Sequence, residues 1–141
     1  MNLEKTRKIN KCDAKTLVNI LITGIKPYVS CSLLKHSKMK SITSKFNNFI
    51  ILRNKSTIAG FLMYRILRDN IAFIYEIHVV AEFQSQGYGT KMMNTLFEQE
   101  KGKVLVLFVH NENLKAQKFY KSLGFEKTEE DGCYFKMTKN S

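Results

Sequence analysis

The apolar positions of this chain change their period along its length, and each change marks an element. Ala14, Leu17, Ile20 and Leu21 recur at helical spacing, so AKTLVNILI predicts an amphipathic helix, capped by Asp13 and ended by Gly24 and Pro27. The following VSCSLLKHSKMKSITSKF carries only Leu33, Leu34, Met39, Ile42 and Phe46, a pattern that suits either a weakly amphipathic helix or a partly irregular lid. From Phe49 onward β-branched and aromatic residues crowd together. FIILR and TIAGFLMYRIL flank the polar NKS as a β-hairpin, and Arg68, Asp69 and Asn70 supply the next turn, so the strand from Ile71 continues an antiparallel meander.

The stretch from Ile71 to Phe125 then alternates strand and helix. It runs through the apolar IAFIYEIHVV, the glycine-bearing QSQGYG, the helical TKMMNTLFEQE, a second apolar strand KVLVLFV and a second helix LKAQKFYKSL stopped by Gly124. Tyr88, Met92, Met93, Leu96 and Phe97 give the first of these helices one apolar face for a sheet. FEKTE and CYFKMT around Glu130, Asp131 and Gly132 predict a closing hairpin. With no repeat, linker or low-complexity tract, the reading is one α/β (α+β) domain over residues 1–141.

Composition narrows this picture. At 141 residues and 44% hydrophobic, the chain can bury a core of its own. No apolar run approaches the roughly 20 residues that span a bilayer, and the polar MNLEKTRKINK lacks the apolar stretch of a signal peptide, so a soluble intracellular protein, cytoplasmic or nuclear, is expected. Cys12, Cys31 and Cys133 show no CxxC spacing and form no ligand-like cluster with His36, His78 and His110, so neither a disulfide nor a metal site is expected. The net charge of +11 invites a polyanion, yet it is mostly lysine scattered singly, without a basic block or stripe; it gives no specific nucleic-acid signal. A small anion carrying several phosphates would profit from the same field.

Such an anion has a natural seat. A helix N-terminus offers unpaired amide donors and the positive end of the helix dipole, and Gly87 and Gly89 let a ligand approach the backbone there. The turn lacks the GK[ST] of a P-loop. It also lacks the third glycine of the dinucleotide fingerprint and the acid that would follow for a ribose, so ATP hydrolysis and nicotinamide chemistry are excluded.

The segment Gln84-Ser85-Gln86-Gly87-Tyr88-Gly89 resembles the Q/R-x-x-G-x-G/A acetyl-CoA motif of the GNAT acetyltransferase superfamily. Asn113, Ala116, Tyr120, Gly124 and Phe125 resemble its second motif, N-x-x-A-x-x-x-Y-x-x-x-G-F, in the family's order and spacing. The resemblance covers roughly Ile58 to Met137 and implies a mixed, mainly antiparallel sheet flanked by helices, with a splayed central strand pair that admits the pantetheine arm of acetyl-CoA. It implies that the amides of Gln84, Ser85, Gln86, Gly87, Tyr88, Gly89 and Thr90 hold the pyrophosphate. Backbone from His78 through Val79 to Val80 would pair with the pantetheine, Asn113 would contact that arm, and Tyr120 would stand near the sulfur.

Acetyl transfer to an amine needs a neutral nucleophile, a donor for the developing oxyanion and an acid for the leaving thiolate. Glu76 lies in an otherwise apolar strand, where a carboxylate must find a partner; regular alternation puts it with Ile74, His78 and Val80 and opposite Tyr75 and Ile77. The resemblance implies a base-bearing or substrate-gripping acid in this strand, which makes Glu76 the candidate, an edge or surface acid being the plainer alternative. His78 is its helper or a hydrogen-bonded core histidine. Tyr120 is the candidate acid or an extension of the Ala116, Phe119 and Leu123 core stripe, and Asn113 is also a plain helix cap. Tyr75 reaches substrate only if the strand bulges or the peptide loops wrap that face, and His110 is assigned to a loop. Within the superfamily, GFLMYRI, IYEIHV and LFVHNENLKAQKFYKSLGF are similar to protein N-terminal acetyltransferases, the D type that modifies histone tails among them. That type's basic R-x-x-G start appears here as Gln84-x-x-Gly87. The acceptor expected is a peptide or protein α-amine, with lysine side chains, small-molecule amines and a non-catalytic binding module as alternatives.

Overall fold

The computed structural model describes residues 1–25, 31–68 and 70–141. Its elements run β1 (Asn2–Thr6), α1 (Lys11–Ile25), α2 (Cys31–Ile42), β2 (Asn48–Asn54), β3 (Thr57–Leu67), β4 (Ile71–Val79), a 3₁₀ turn (Ala81–Phe83), α3 (Tyr88–Gln99), β5 (Val104–His110), α4 (Leu114–Ser122), β6 (Glu126–Asp131) and β7 (Tyr134–Asn140). The strands form one seven-stranded sheet in the order β1-β2-β3-β4-β5-β7-β6. All neighbours are antiparallel except β4 and β5. This is the mixed, mainly antiparallel α/β sheet expected.

Alternation along the strands feeds two cores. Ile50, Leu52, Leu62, Tyr64, Ile74, Leu105 and Leu107 bury one face under Met92, Met93 and Leu96 of α3, with Phe125 and Met137 closing it. Phe49, Ile51, Phe61 and Met63 bury the other face under Leu17, Val18, Leu21 and Ile22 of α1 and Ile42 of α2. The stripe on α1 keeps the predicted Ala14, Leu17 and Leu21 but gains Val18 and Ile22, with Ile20 only half-buried, and its ends differ as well. Asn10 caps it, its Oδ1 accepting from the Asp13 amide at 2.7 Å, and Gly24 lies inside the helix. Asp13 instead meets Arg53 at 2.8 Å. The expectations for Pro27, for Asp69 and for the side chains of Leu33 and Leu34 lie outside the described residues.

Of the two options for the next segment, the helix is the one adopted. The last carbonyls of α2, Ser41 and Ile42, accept from Asn47 Nδ2 at 2.7 and 2.9 Å, and Asn47 is fully buried. Asn47 Oδ1 accepts from Arg65 Nε at 2.8 Å, so one side chain ties the end of the helix to β3. The polar start of the chain forms β1, whose edge pairing with β2 is joined by an ion pair between Glu4 and Arg53.

β4 and β5 pair only from Ile71↔Val104 to Ile74↔Leu107, although β4 continues to Val79 and β5 to His110. Beyond Ile74 the two strands part. The sheet therefore opens at its middle, and the opening is where the candidate residues gather.

Candidate active site

The β3–β4 register runs Phe61↔His78, Leu62↔Ile77, Met63↔Glu76 and then Tyr64↔Ile74, leaving Tyr75 as the extra residue of a β-bulge. The bulge corrects the alternation expected from sequence. Ile74 enters the core under α3, while Glu76 comes into register with Met63 on the face covered by α1 and α2. His78 follows Glu76 and stacks on Phe61, ring centroids 5.6 Å apart. Tyr75, expected opposite Glu76, packs on Phe73 at 4.6 Å and under the Arg65 guanidinium at 4.6 Å, and is 40% exposed. One inserted residue thus gathers Tyr75, Glu76 and His78 at one mouth.

Both oxygens of Glu76 are engaged. Lys38 Nζ on α2 lies 3.2 Å from Oε1, and His78 Nε2 lies 2.9 Å from Oε2. Burial pushes the carboxyl up, but the hydrogen bond and charge of His78 and the ammonium of Lys38 outweigh it and leave Glu76 below the ordinary carboxylate value. It is ionised at neutral pH. A carboxylate only accepts, so it is the His78 Nε2–H that donates to Oε2.

A cleft of about 940 Å³ runs through the splay. Tyr75, Glu76, His78 and Val79 line one wall. Phe108, Val109, His110 and Tyr134 line the other, while Gln84, Ser85, Gly87, Tyr88, Gly89 and Thr90 close one end, and Asn113 and Tyr120 the floor. Val80 and Gln86 of the expected set are not on its surface; the Val80 amide donates to Ala59 at 2.8 Å and Gln86 Nε2 to the Glu82 carbonyl at 3.2 Å. His110, assigned to a loop, is the last residue of β5, and its ring stands edge-on to Tyr134 at 5.4 Å.

The glycine turn is built as its residues require. Ser85 (φ 60°) and Gly87 (φ 82°) both take the left-handed conformation, the kind of backbone that gathers amides into an anion-binding concavity. The first backbone bond of α3 runs from the Lys91 amide to the Gly87 carbonyl, so the amides of Tyr88, Gly89 and Thr90 precede the helical ladder. Among the described residues, nothing beyond its chain neighbours stands within 4 Å of a Cβ placed on Gly87, which keeps the approach to them open. Gln84 Nε2 reaches back to the Val79 carbonyl at 2.8 Å and fixes the turn against the strand.

Asn113 caps α4, its Oδ1 accepting from the Ala116 amide at 3.1 Å. Tyr120 packs on Phe119 and Phe125 and also reaches the cleft. Burial, aided by the charge of Glu76, pushes its hydroxyl up to about 12, so it is a proton donor throughout the neutral range. Gln117, buried on the same helix, donates through Nε2 to the carbonyls of His110 (3.1 Å) and Asn111 (2.9 Å) and holds the loop after β5.

Reading the sequence missed Lys38, Phe108, Tyr134, Gln117 and Gly60. Gly60 alone had a signal, being a glycine inside a strand: a Cβ there would stand 2.6 Å from the His78 carbonyl. The others have none, because their roles depend on which elements pack together.

Residues 26–125 match the family model for the acetyltransferase (GNAT) family. A curated relative, the N-alpha-acetyltransferase RimI of Mycobacterium tuberculosis, is 24% identical over 102 residues, which is 70% of this chain and 65% of that protein's length, just under two thirds. The PaiA N-acetyltransferase of Thermoplasma acidophilum, solved with coenzyme A, superposes with a TM-score of 0.80 at 20% identity over the whole of both chains. An aminoglycoside 6'-N-acetyltransferase, also solved with coenzyme A, superposes with a TM-score of 0.80 at 12% identity, covering 99% of this chain and 96% of that one.

Proposed function

The chain belongs to the acetyltransferase (GNAT) family, a family of acetyl-CoA-dependent N-acetyltransferases, and from that premise we propose that it acetylates the α-amine of a peptide or protein. The residues present fit the donor. The left-handed turn at Ser85 and Gly87 and the leading amides of α3 suit a pyrophosphate, and the strand splay has room for a slender arm. When bound, acetyl-CoA supplies an activated acyl group as a thioester. Tyr88, Gly89, Thr90 and Ser85 would hold its phosphates, and Val79 and Asn113 would lie along the arm.

The observation that carries the reading is the Glu76 carboxylate, held ionised between His78 and Lys38 at the acceptor mouth and close enough to Tyr120 to perturb it. Glu76, directly or through a water, takes the proton of the acceptor amine, and His78, donating its Nε2–H to Oε2, orients the carboxylate. Tyr120, protonated across the working range, donates toward the departing sulfur. Gln117 and Asn113 keep the cleft floor in place.

A carboxylate held below its ordinary value is a weak base, which favours an acceptor that needs little help. An α-amine with a pKa of about 7.7 to 8.0 is partly neutral at pH 7, whereas a lysine near 10.4 is almost wholly charged. The exposed rings of Tyr75, Phe108 and Tyr134 give the mouth an apolar, aromatic rim that suits a peptide better than a polyamine. The likeness to an N-alpha-acetyltransferase supports the same choice.

A library of peptides with free N-termini, analysed by mass spectrometry for the site of acetylation, tests this. Acetate on α-amines, with small first residues leading, is expected. Acetate confined to ε-amines, or turnover only of polyamines and sugars, would overturn the peptide α-amine reading.

A further inference from the structure

Any acceptor must bring an ammonium to the free side of Glu76, because His78 already holds Oε2. In this structure that seat is taken by the protein's own Lys38, whose Nζ lies 3.2 Å from Oε1. This is no wandering surface lysine. Its side chain is 29% exposed and lines the same cleft as Tyr120, and its helix is pinned by the buried Asn47 through Ser41 and Ile42 and on to Arg65.

We propose that Lys38 is an internal acceptor: with acetyl-CoA bound and no substrate present, the enzyme acetylates Lys38 Nζ. The inference rests on the proposed role of Glu76 as the deprotonating group. The ammonium first gives one proton to Glu76 and thence to solvent. The neutral Nζ then forms an amide bond to the acetyl carbon as the carbon–sulfur bond of the thioester breaks, and the second nitrogen proton ends on the thiol. Per acetyl transferred, one coenzyme A thiol and one proton are released.

Two magnitudes decide whether this is competitive. At neutral pH about one ordinary lysine in 10³ is uncharged. A well-oriented intramolecular nucleophile reaches an effective concentration of up to about 10⁵ M or more, which more than offsets that fraction. The consequence is regulatory. Acetyl-Lys38 loses the charge that pairs with Glu76 and leaves its amide in the acceptor seat, so an enzyme short of acceptor closes its own site. External acceptors displace Lys38 from Oε1 and protect it.

The test incubates the purified chain with acetyl-CoA, without acceptor, at two protein concentrations, and maps acetylated peptides over time. Lys38 should be modified at least about 10²-fold faster than exposed lysines such as Lys91 and Lys118, the lower range for acid–base assistance. Its rate constant should not change on dilution. Lys38→Arg should lose this label yet keep the rise in melting temperature caused by acetyl-CoA, which shows the variant folded and loaded. Labelling spread evenly over exposed lysines, or a bare Lys38 in protein whose melting temperature rises with acetyl-CoA, overturns the inference. A parallel incubation with mixed free-N-terminus peptides separates the two claims. Peptide turnover beside a bare Lys38 sinks only the internal acceptor, and labelled Lys38 without peptide turnover sinks only the peptide reading.

Discussion

The two flanks of the cleft are built from different materials. On the donor flank, the turn after β4 and the start of α3 present backbone: left-handed Ser85 and Gly87, the leading amides, and a helix anchored by fully buried Met92, Met93 and Leu96. On the acceptor flank the chemistry is carried by side chains, with Glu76 of β4 held between Lys38 of α2 and His78 of its own strand, and Tyr134 of β7 facing His110 of β5. A backbone site tolerates little variation in its turn and so leaves a local motif. A side-chain site depends on assembly, and its residues can change with the acceptor.

The sharpest way to break the donor flank alone is Gly87→Glu. The side chain would force a left-handed position on a residue that disfavours it and set a carboxylate among the amides that suit phosphate. Acetyl-CoA raises the melting temperature of the wild type by binding the native state, and this variant should lose the whole shift while the unliganded protein still melts cooperatively. An undiminished shift in the folded variant would reject the phosphate assignment.

Tyr120→Phe probes the floor between the flanks. It keeps the ring packed on Phe119 and Phe125 and removes only the hydroxyl. The expected loss in kcat is about 10²- to 10⁴-fold, the range of general acid catalysis, with donor affinity nearly unchanged. Normal turnover, in an assay limited by chemistry, would return Tyr120 to a packing role.

On the acceptor flank, Tyr75→Ala should raise KM for peptide acceptors by about fivefold, equivalent to roughly 1 kcal/mol for losing an aromatic contact, and spare the acetyl-CoA melting shift. An unchanged KM would remove Tyr75 from the acceptor rim. Smaller still is the effect of acid on stability. The folded value of Glu76 lies below its unfolded one, so its contribution is present above the ordinary carboxylate range and fades as pH falls through the folded value. Glu76→Gln should therefore flatten the acid limb of a melting-temperature profile, and a superposable limb would show that the pair with Lys38 and His78 gives no net stability.

These two flanks also differ in how much could be read before the structure. The period of TIAGFLMYRIL, the glycine turn and the Asn113 to Phe125 spacing made the sheet, α3 and α4 legible, because each follows from local backbone demands. β1 was not, since NLEKT is mostly polar and depends on pairing with β2, the Glu4–Arg53 contact and Leu3 laid against the core. The face of Glu76 was misjudged because period-two counting assumes an unbroken strand, and the bulge at Tyr75 shifts every residue after it. Lys38 could not be seen at all; nothing in the sparse pattern of its helix says which carboxylate it will meet.

The central claim is that Glu76 removes the acceptor's proton, and the pH dependence of kcat in Glu76→Gln tests it most directly. The variant should lose about 10²-fold or more at neutral pH and recover part of that loss as rising pH neutralises the α-amine without help. Acetyl-CoA binding should be unaffected throughout. A loss of the same factor at every pH would contradict the account and make Glu76 a grip on the substrate or a structural partner of Lys38 and His78.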